Sequence, residues 1–170
     1  VEIKVPNIVQ GEIREKLLFA YGAATWSDDR STKNGGCICE DGWVVCRGCN
    51  HFIKGYGHRP EHHERPLKYS LTEHAERDAI YNAARLGVKT EGLTLVANWV
   101  ACADCARAIV CAGLGCVVTH KACMDRTPER WKEQVDLGLE IIRSHCDLVI
   151  WDGEIGGGVT NLNNGEIWSP

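Results

Sequence analysis

The sequence predicts an α/β protein, a three-layer α/β/α sandwich on a five-stranded mixed sheet. Two observations carry that prediction. Apolar spacing switches between helical and strand periods in the order α-β-β-α-β-α-β-α-β, as expected for one sheet covered by helices on both faces. The two strands that follow one another directly are joined by Asp41-Gly42, a dipeptide suited to a tight antiparallel hairpin. At 170 residues the chain has room for one well-buried domain. We assign that domain to residues 1–152 and a Gly/Asn-rich tail to residues 153–170.

In chain order, Glu12 to Trp26 carries Ile13, Leu17, Leu18, Ala20, Ala23 and Ala24 at helical spacing, a stripe that packs on a sheet. A polar loop, Ser27 to Asn34, leads into two short strands around the Asp41-Gly42 turn, Gly35 to Cys39 and Trp43 to Cys46. From Asn50 to Lys68 the hydrophobic period disappears, so residues 50–72 read as a long insert before the next helix. A second helix spans Glu73 to Leu86 and stops at Gly87. Leu93 to Ala97 is a strand, Cys102 to Ala112 a helix and Cys116 to Thr119 a strand. Thr127-Pro128 opens a helix running to His145, with threonine as its cap and proline in its first turn. Asp147 to Trp151 forms the last strand, and the glycines beyond Gly153 suggest a loosely ordered end.

Composition narrows the function. Net charge is −4 with a pI near 6.0, and the cationic residues are scattered, which disfavours a nucleic-acid polymer as partner. No apolar run reaches the length of a membrane span, and Val1 to Gln10 lacks the apolar core of a signal peptide. The expectation is a soluble protein of the cytoplasm, or of the host cytoplasm if the chain is of phage origin. Ten cysteines without such a signal point to a reducing compartment rather than to disulfides. Cys37, Cys39, Cys111, Cys116, Cys123 and Cys146 read as small buried hydrophobes. Trp26, Trp131, Trp151 and Trp168 read as core residues, with an interface as the alternative.

The chemistry concentrates between Glu73 and Cys105. His74, Cys102 and Cys105 form a zinc-type donor set one short of the four that close a structural site, which leaves a position for water. Bound there, water would be acidified towards pKa about 7. Glu76, two residues past the histidine, is placed to move that water's proton, and the backbone N–H of Ala75 to hold a carbonyl of a bound substrate. Both motif halves fall at predicted helix starts, where unpaired N–H groups favour negative charge. His-x-Glu alone is a weak signal and Cys-x-x-Cys a moderate one. Together, in this order and with a strand between them, they are specific. The rival of another class is a non-catalytic zinc module, against which the fourth position and Glu76 both argue.

The insert holds Lys54, Arg59, Arg65 and Lys68 against Glu61 and Glu64, together with His51, His58, His62 and His63. It reads either as a solvated basic excursion or as a wall of the site that binds phosphate.

With these residues stated, the chain resembles the zinc-dependent cytidine and deoxycytidylate deaminases. The resemblance rests on His74-Ala75-Glu76, Ala79-Ile80, Cys102-x-x-Cys105 and Ile109, with Ala101 where the family usually has proline. Ser31-Thr32, Asn50, Glu64-Arg65-Pro66-Leu67-Lys68-Tyr69 and Thr72-Glu73 extend it towards the dCMP deaminases of bacteria and phages, over residues 12–151. The resemblance implies a cytidine-deaminase-like fold and zinc-dependent hydrolysis of dCMP to dUMP and ammonia, which supplies the precursor of dTMP. It also implies sugar contact by Asn50, and a phosphate surrounded by the insert and the loop before Gly35. By the same resemblance the enzyme is a homo-oligomer, a hexamer, activated by dCTP and inhibited by dTTP, with Mg2+ accompanying the regulatory nucleotide. A second, structural zinc drawn from Cys46, Cys49, His51, His58, His62 and His63 is the less favoured expectation. Cytidine, tRNA adenosine and a pterin or riboflavin precursor are the alternative substrates.

Overall fold

The computed structural model describes residues 10–170; Val1 to Val9, on which the leader expectation rests, lie outside them. The elements are α1 (Gln10–Ala24), β1 (Gly35–Glu40), β2 (Trp43–Cys49), β3 (His51–Phe52), a 3-10 turn (Pro60–His63), α2 (Leu67–Leu71), β4 (Thr72–Glu73), α3 (Ala75–Leu86) and β5 (Thr94–Ala97). They continue with α4 (Ala103–Cys111), β6 (Cys116–His120), α5 (Lys121–Met124), α6 (Glu129–His145), β7 (Asp147–Trp151), β8 (Asn161–Asn163) and β9 (Glu166–Trp168).

The main sheet has five strands in the order β2-β1-β5-β6-β7. β1 runs antiparallel to β2 and β5, whereas β5, β6 and β7 are parallel, so the sheet is mixed as predicted. Asp41 and Gly42 both have positive φ, 46° and 82°, the two-residue turn whose twist matches a hairpin. Strand alternation sorts the core into two layers. Ile38, Leu95 and Val117 face Ala79, Ala83, Ala106, Ile109 and Ile142 of α3, α4 and α6. Cys37, Val96 and Val118 face Ile13, Leu17 and Tyr21 of α1. No helix among the described residues is long and apolar enough to cross a membrane.

Several elements depart from the sequence expectations. The insert is not one open loop: its second half folds into the 3-10 turn and α2, and β3 pairs with β4. Thr127 does not cap α6; Pro128 is the N-cap residue, and the Thr127 hydroxyl donates to Met124 O and accepts from Trp99 Nε1. Cys111 is exposed rather than buried, and Trp26 is 63% exposed with the Arg47 guanidinium 3.7 Å from its ring.

The largest correction concerns residues 153–170, which fold back on the chain. β8 and β9 pair antiparallel, Ile155 is fully buried, and Lys33 N–H donates to Leu162 O at 2.9 Å. Trp168 stacks on His120, whose Nδ1 accepts from the Tyr21 hydroxyl at 2.7 Å while Nε2–H donates to Gly153 O at 2.8 Å. Burial lowers the pKa of His120, so the ring is neutral and can both accept and donate. A glycine-rich segment carries no periodic signal of its own, and its order comes from partners distant in sequence.

Candidate metal centre and substrate cleft

Strand polarity gathers the site. The start of β1, the end of β2 and the carboxyl end of β5 lie at one edge of the sheet, the usual ligand edge of an α/β fold. Asn98, fully buried past β5, fixes the junction by accepting from Gly35 N–H at 3.0 Å and donating its own N–H to Gly35 O at 3.1 Å.

His74 and Cys102 are not inside helices, as the sequence suggested, but are the N-cap residues of α3 and α4, both with extended backbone. The small residues Ala79, Ala83 and Ala106 let the two helices pack closely, so their amino ends converge. His74 Nδ1 lies 3.6 Å from Cys102 Sγ and 3.4 Å from Cys105 Sγ, and the three donor atoms fall within 4.8 Å of one another. Zinc bonded tetrahedrally at about 2.3 Å to sulfur and about 2.0 Å to nitrogen holds such atoms about 3.5 Å apart, so the spacing fits the ion. The donor chemistry fits as well. The Cys102 thiol is pushed down to about 4, chiefly by the hydrogen bond from Cys105 and then by His74 beside it. Cys105 correspondingly keeps its proton, its pKa raised well above the ordinary value.

Glu76, 7% exposed, sits in the first turn of α3 beside this trio, and burial raises its pKa. Ala75 occupies the first position of α3, where helix geometry leaves N–H groups without intrahelical partners. Glu73 Oε1 accepts from His74 N–H at 2.8 Å and from Arg77 Nε at 2.5 Å, and Arg77 Nη1 lies 3.9 Å from Asp104 of α4. This chain of contacts ties together the two helix starts that carry the donors.

The entry to α4 is held from behind. A Cβ on Gly138 of α6 would lie 2.2 Å from Ala101 O and 2.9 Å from the Cys102 carbonyl carbon. Close packing of α6 thus supports the turn at Ala101, where a proline ring is absent. Elsewhere in a helix Gly→Ala gains about 1 kcal/mol. Here Gly138→Ala is expected to cost about 1–3 kcal/mol and weaken zinc about 10–100-fold. Thermal unfolding and zinc titration against a chelator measure both; unchanged values would refute the packing argument.

A cleft opens over His74 and Cys102, with Val100, Trp99, Trp131 and Val135 as apolar walls. The Trp131 ring is edge-on to His74 at 5.9 Å and to Tyr69 at 5.3 Å. Asn50 lies in this cleft, but both its donors are in use: Nδ2 serves Thr32 O at 2.7 Å and Asp29 at 3.3 Å, while Oδ1 accepts from Asn34 N–H at 2.7 Å. What remains is one lone pair on Oδ1. Asn34 Oδ1 and Thr72 Oγ1, also in the lining, are buried without partners.

Of the basic insert, Arg65 and Lys68 reach the cleft, whereas Lys54, Arg59 and the histidines are not in its lining. Lys68 is not free for an anion. It is buried against Asp29 at 2.7 Å and donates to Ser31 Oγ at 2.6 Å. Burial raises the Asp29 pKa, but the Lys68 and backbone hydrogen bonds outweigh it and the net shift is downward. Two of the insert histidines turn to backbone: His62 Nδ1 accepts from Gly57 N–H, and His63 Nε2 donates to Gly57 O. His51 faces Phe52 O and Asp78, and Cys46 is in the core. Asp29, Tyr69, Trp99, Trp131 and Arg130 were not singled out as site residues by the sequence. Trp131 and Arg130 carried one usable signal, their place in the first turn of a helix opened by Pro128. A second groove of about 960 Å3 lies between α1, β2 and α3, lined by Phe19, Trp43 and Leu86, away from the donor trio.

Fold and site together define a zinc-site deaminase, and the sequence profile of the cytidine and deoxycytidylate deaminase zinc-binding region matches residues 12–121. The chain belongs to this family. It is 29% identical over 130 residues to an uncharacterized deaminase in the luxG 3′ region of Aliivibrio fischeri, covering 75% of this chain and 84% of that protein. The dCMP deaminase of cyanophage S-TIM5 has a similar fold, with TM-score 0.62, 19% identity and coverage of 82% and 98% of the two chains. A diaminohydroxyphosphoribosylaminopyrimidine deaminase/5-amino-6-(5-phosphoribosylamino)uracil reductase of Thermotoga maritima also aligns, with TM-score 0.60 and 19% identity over 85% of this chain. The chain spans only 37% of that two-activity protein's length.

Proposed function

We propose that this deaminase acts on dCMP, hydrolysing it to dUMP and ammonia with zinc held by His74 Nδ1, Cys102 and Cys105. The observation that carries the reading is a cleft lined by His74, Cys102 and buried Glu76, with Cys105 behind them, and by two cationic residues, Arg65 and Arg130, that form no ion pair among the described residues. When bound, zinc supplies a water acidic enough to be deprotonated at neutral pH.

The chain's own residues do the rest. Glu76, its carboxyl pKa raised by burial, takes one proton from water and delivers it to the ring nitrogen, then carries the second, from the hydroxyl left on the ring carbon, to the amine, which departs as ammonia. The Ala75 N–H, at the helix start, holds the pyrimidine carbonyl. Trp131 and Val135 flank the base and exclude water. Asn50 Oδ1 accepts from a sugar hydroxyl through its remaining lone pair, and Asn34 Oδ1 is a second acceptor in reach of the cleft.

Turnover of dCMP, deoxycytidine, cytidine and a tRNA anticodon stem is the test. The expected result is kcat/KM highest for dCMP by at least about tenfold, the selectivity that one charge-assisted contact supports. Equal activity on cytidine and dCMP would overturn the choice of substrate while leaving deamination intact.

A further inference from the structure

The cleft's cations differ in what already satisfies them. Lys68 is paired with Asp29, and outside the cleft Arg126 is paired with Glu166 at 3.1 Å. Arg130 has no carboxylate within ion-pair distance among the described residues; both of its bonded partners are neutral. Its Nε donates to the Tyr69 hydroxyl at 3.2 Å and its Nη2 to Asn164 Oδ1 at 2.7 Å. The guanidinium is therefore oriented along two edges, its charge meets no carboxylate among the described residues, and its Nη1 makes no hydrogen bond to them.

The residue that orients it comes from the carboxyl-terminal hairpin. Asn164, at the β8–β9 tip with φ 51°, donates its N–H to Thr32 Oγ1 at 3.0 Å, and Gly165 N–H donates to Ser31 O at 2.7 Å. Ser31 and Thr32 belong to the loop that also engages Lys68 and Asn50. The hairpin thus joins the loop at the cleft to the first turn of α6. Arg130 and Asn164 both lie beyond residues 12–121, the part that matches the family.

We propose that Arg130 is the specificity residue that reads the 5′-phosphate of the substrate, and that Asn164 is the positioning residue that holds it. A fixed planar guanidinium with one open edge matches two phosphate oxygens, and a dianion supplies the charge that the neutral partners do not. Arg65, the other cation of the lining that forms no ion pair among the described residues, adds to the same field. A nucleoside offers Arg130 nothing to hold. The proposal rests on the nucleotide reading above.

The experiment compares dCMP with deoxycytidine as substrates for the zinc-loaded wild type, Arg130→Gln, Arg130→Lys and Asn164→Ala. In Arg130→Gln the dCMP/deoxycytidine ratio of kcat/KM is expected to fall about 10–100-fold, carried by KM for dCMP. Arg130→Lys recovers part of the ratio, because charge survives without the fork, and Asn164→Ala gives an intermediate loss, again in KM. If wild type turns over dCMP and Arg130→Gln keeps the wild-type ratio, the Arg130 assignment is overturned and the nucleotide reading stands. A wild type that deaminates another base but not dCMP overturns both.

Discussion

Glu76→Gln is expected to keep zinc at about one per chain while kcat falls by at least about 10²–10⁴-fold, the range that positioned proton transfer contributes. Glu76 is not among the three convergent donors, so the ion does not depend on it. Glutamine preserves the side chain's shape and removes only its ability to take and release a proton. The carboxyl is 7% exposed and its pKa is raised by burial, so the native protein bears a cost in placing it there. The variant should therefore unfold at the same temperature as wild type or higher. Metal analysis, steady-state rates and thermal unfolding on one preparation separate the possibilities. Loss of zinc together with activity would make Glu76 a structural residue and would refute the proton-carrier role.

The second large effect is at Cys102. Cys102→Ser is expected to lose both zinc and turnover, with metal content falling from about one per chain to a small fraction at micromolar free zinc. The Cys102 thiol is held down to about 4 by Cys105 and His74, while the pKa values of Cys105 and His74 are raised, so binding the ion releases protons from Cys105 and from His74 Nδ1. A serine hydroxyl does not ionise there, and two donors remain where three converged. Stability gives an independent reading. Zinc at about 1,000 times its Kd stabilises wild type by about 4 kcal/mol through linkage, and that zinc-dependent rise in Tm should vanish in the variant. A variant that keeps stoichiometric zinc would show that Cys102 is not a ligand.

The motif spacing legible in the sequence corresponds to real geometry for a local reason. His74 and Glu76 are two residues apart, and Cys102 and Cys105 three, so each pair is placed by one helix start whatever the rest of the fold does. The Asp41-Gly42 hairpin and the switch from strand to helical spacing are likewise short-range signals, and the main sheet follows them. The errors fall where sequence neighbours carry no information. Thr127 matched a capping pattern, yet its hydroxyl is used by Met124 and Trp99. Lys68 read as a cation of the insert that faces either solvent or phosphate, but Asp29, 39 residues earlier, neutralises it.

By itself the sequence determined the sheet and its helices, the three convergent donors, the neighbouring carboxylate, and through them the family. Tertiary structure alone decided how the cleft above them is charged: Lys68 is closed off by Asp29, Trp131 becomes a wall, and Arg130 meets no carboxylate among the described residues. The hairpin at residues 161–168 reaches Thr32 from more than a hundred residues away in sequence, 132 positions for Asn164. Contacts over such separations leave no period, turn dipeptide or cap pattern in the chain; only folding brings Asn164 to Arg130.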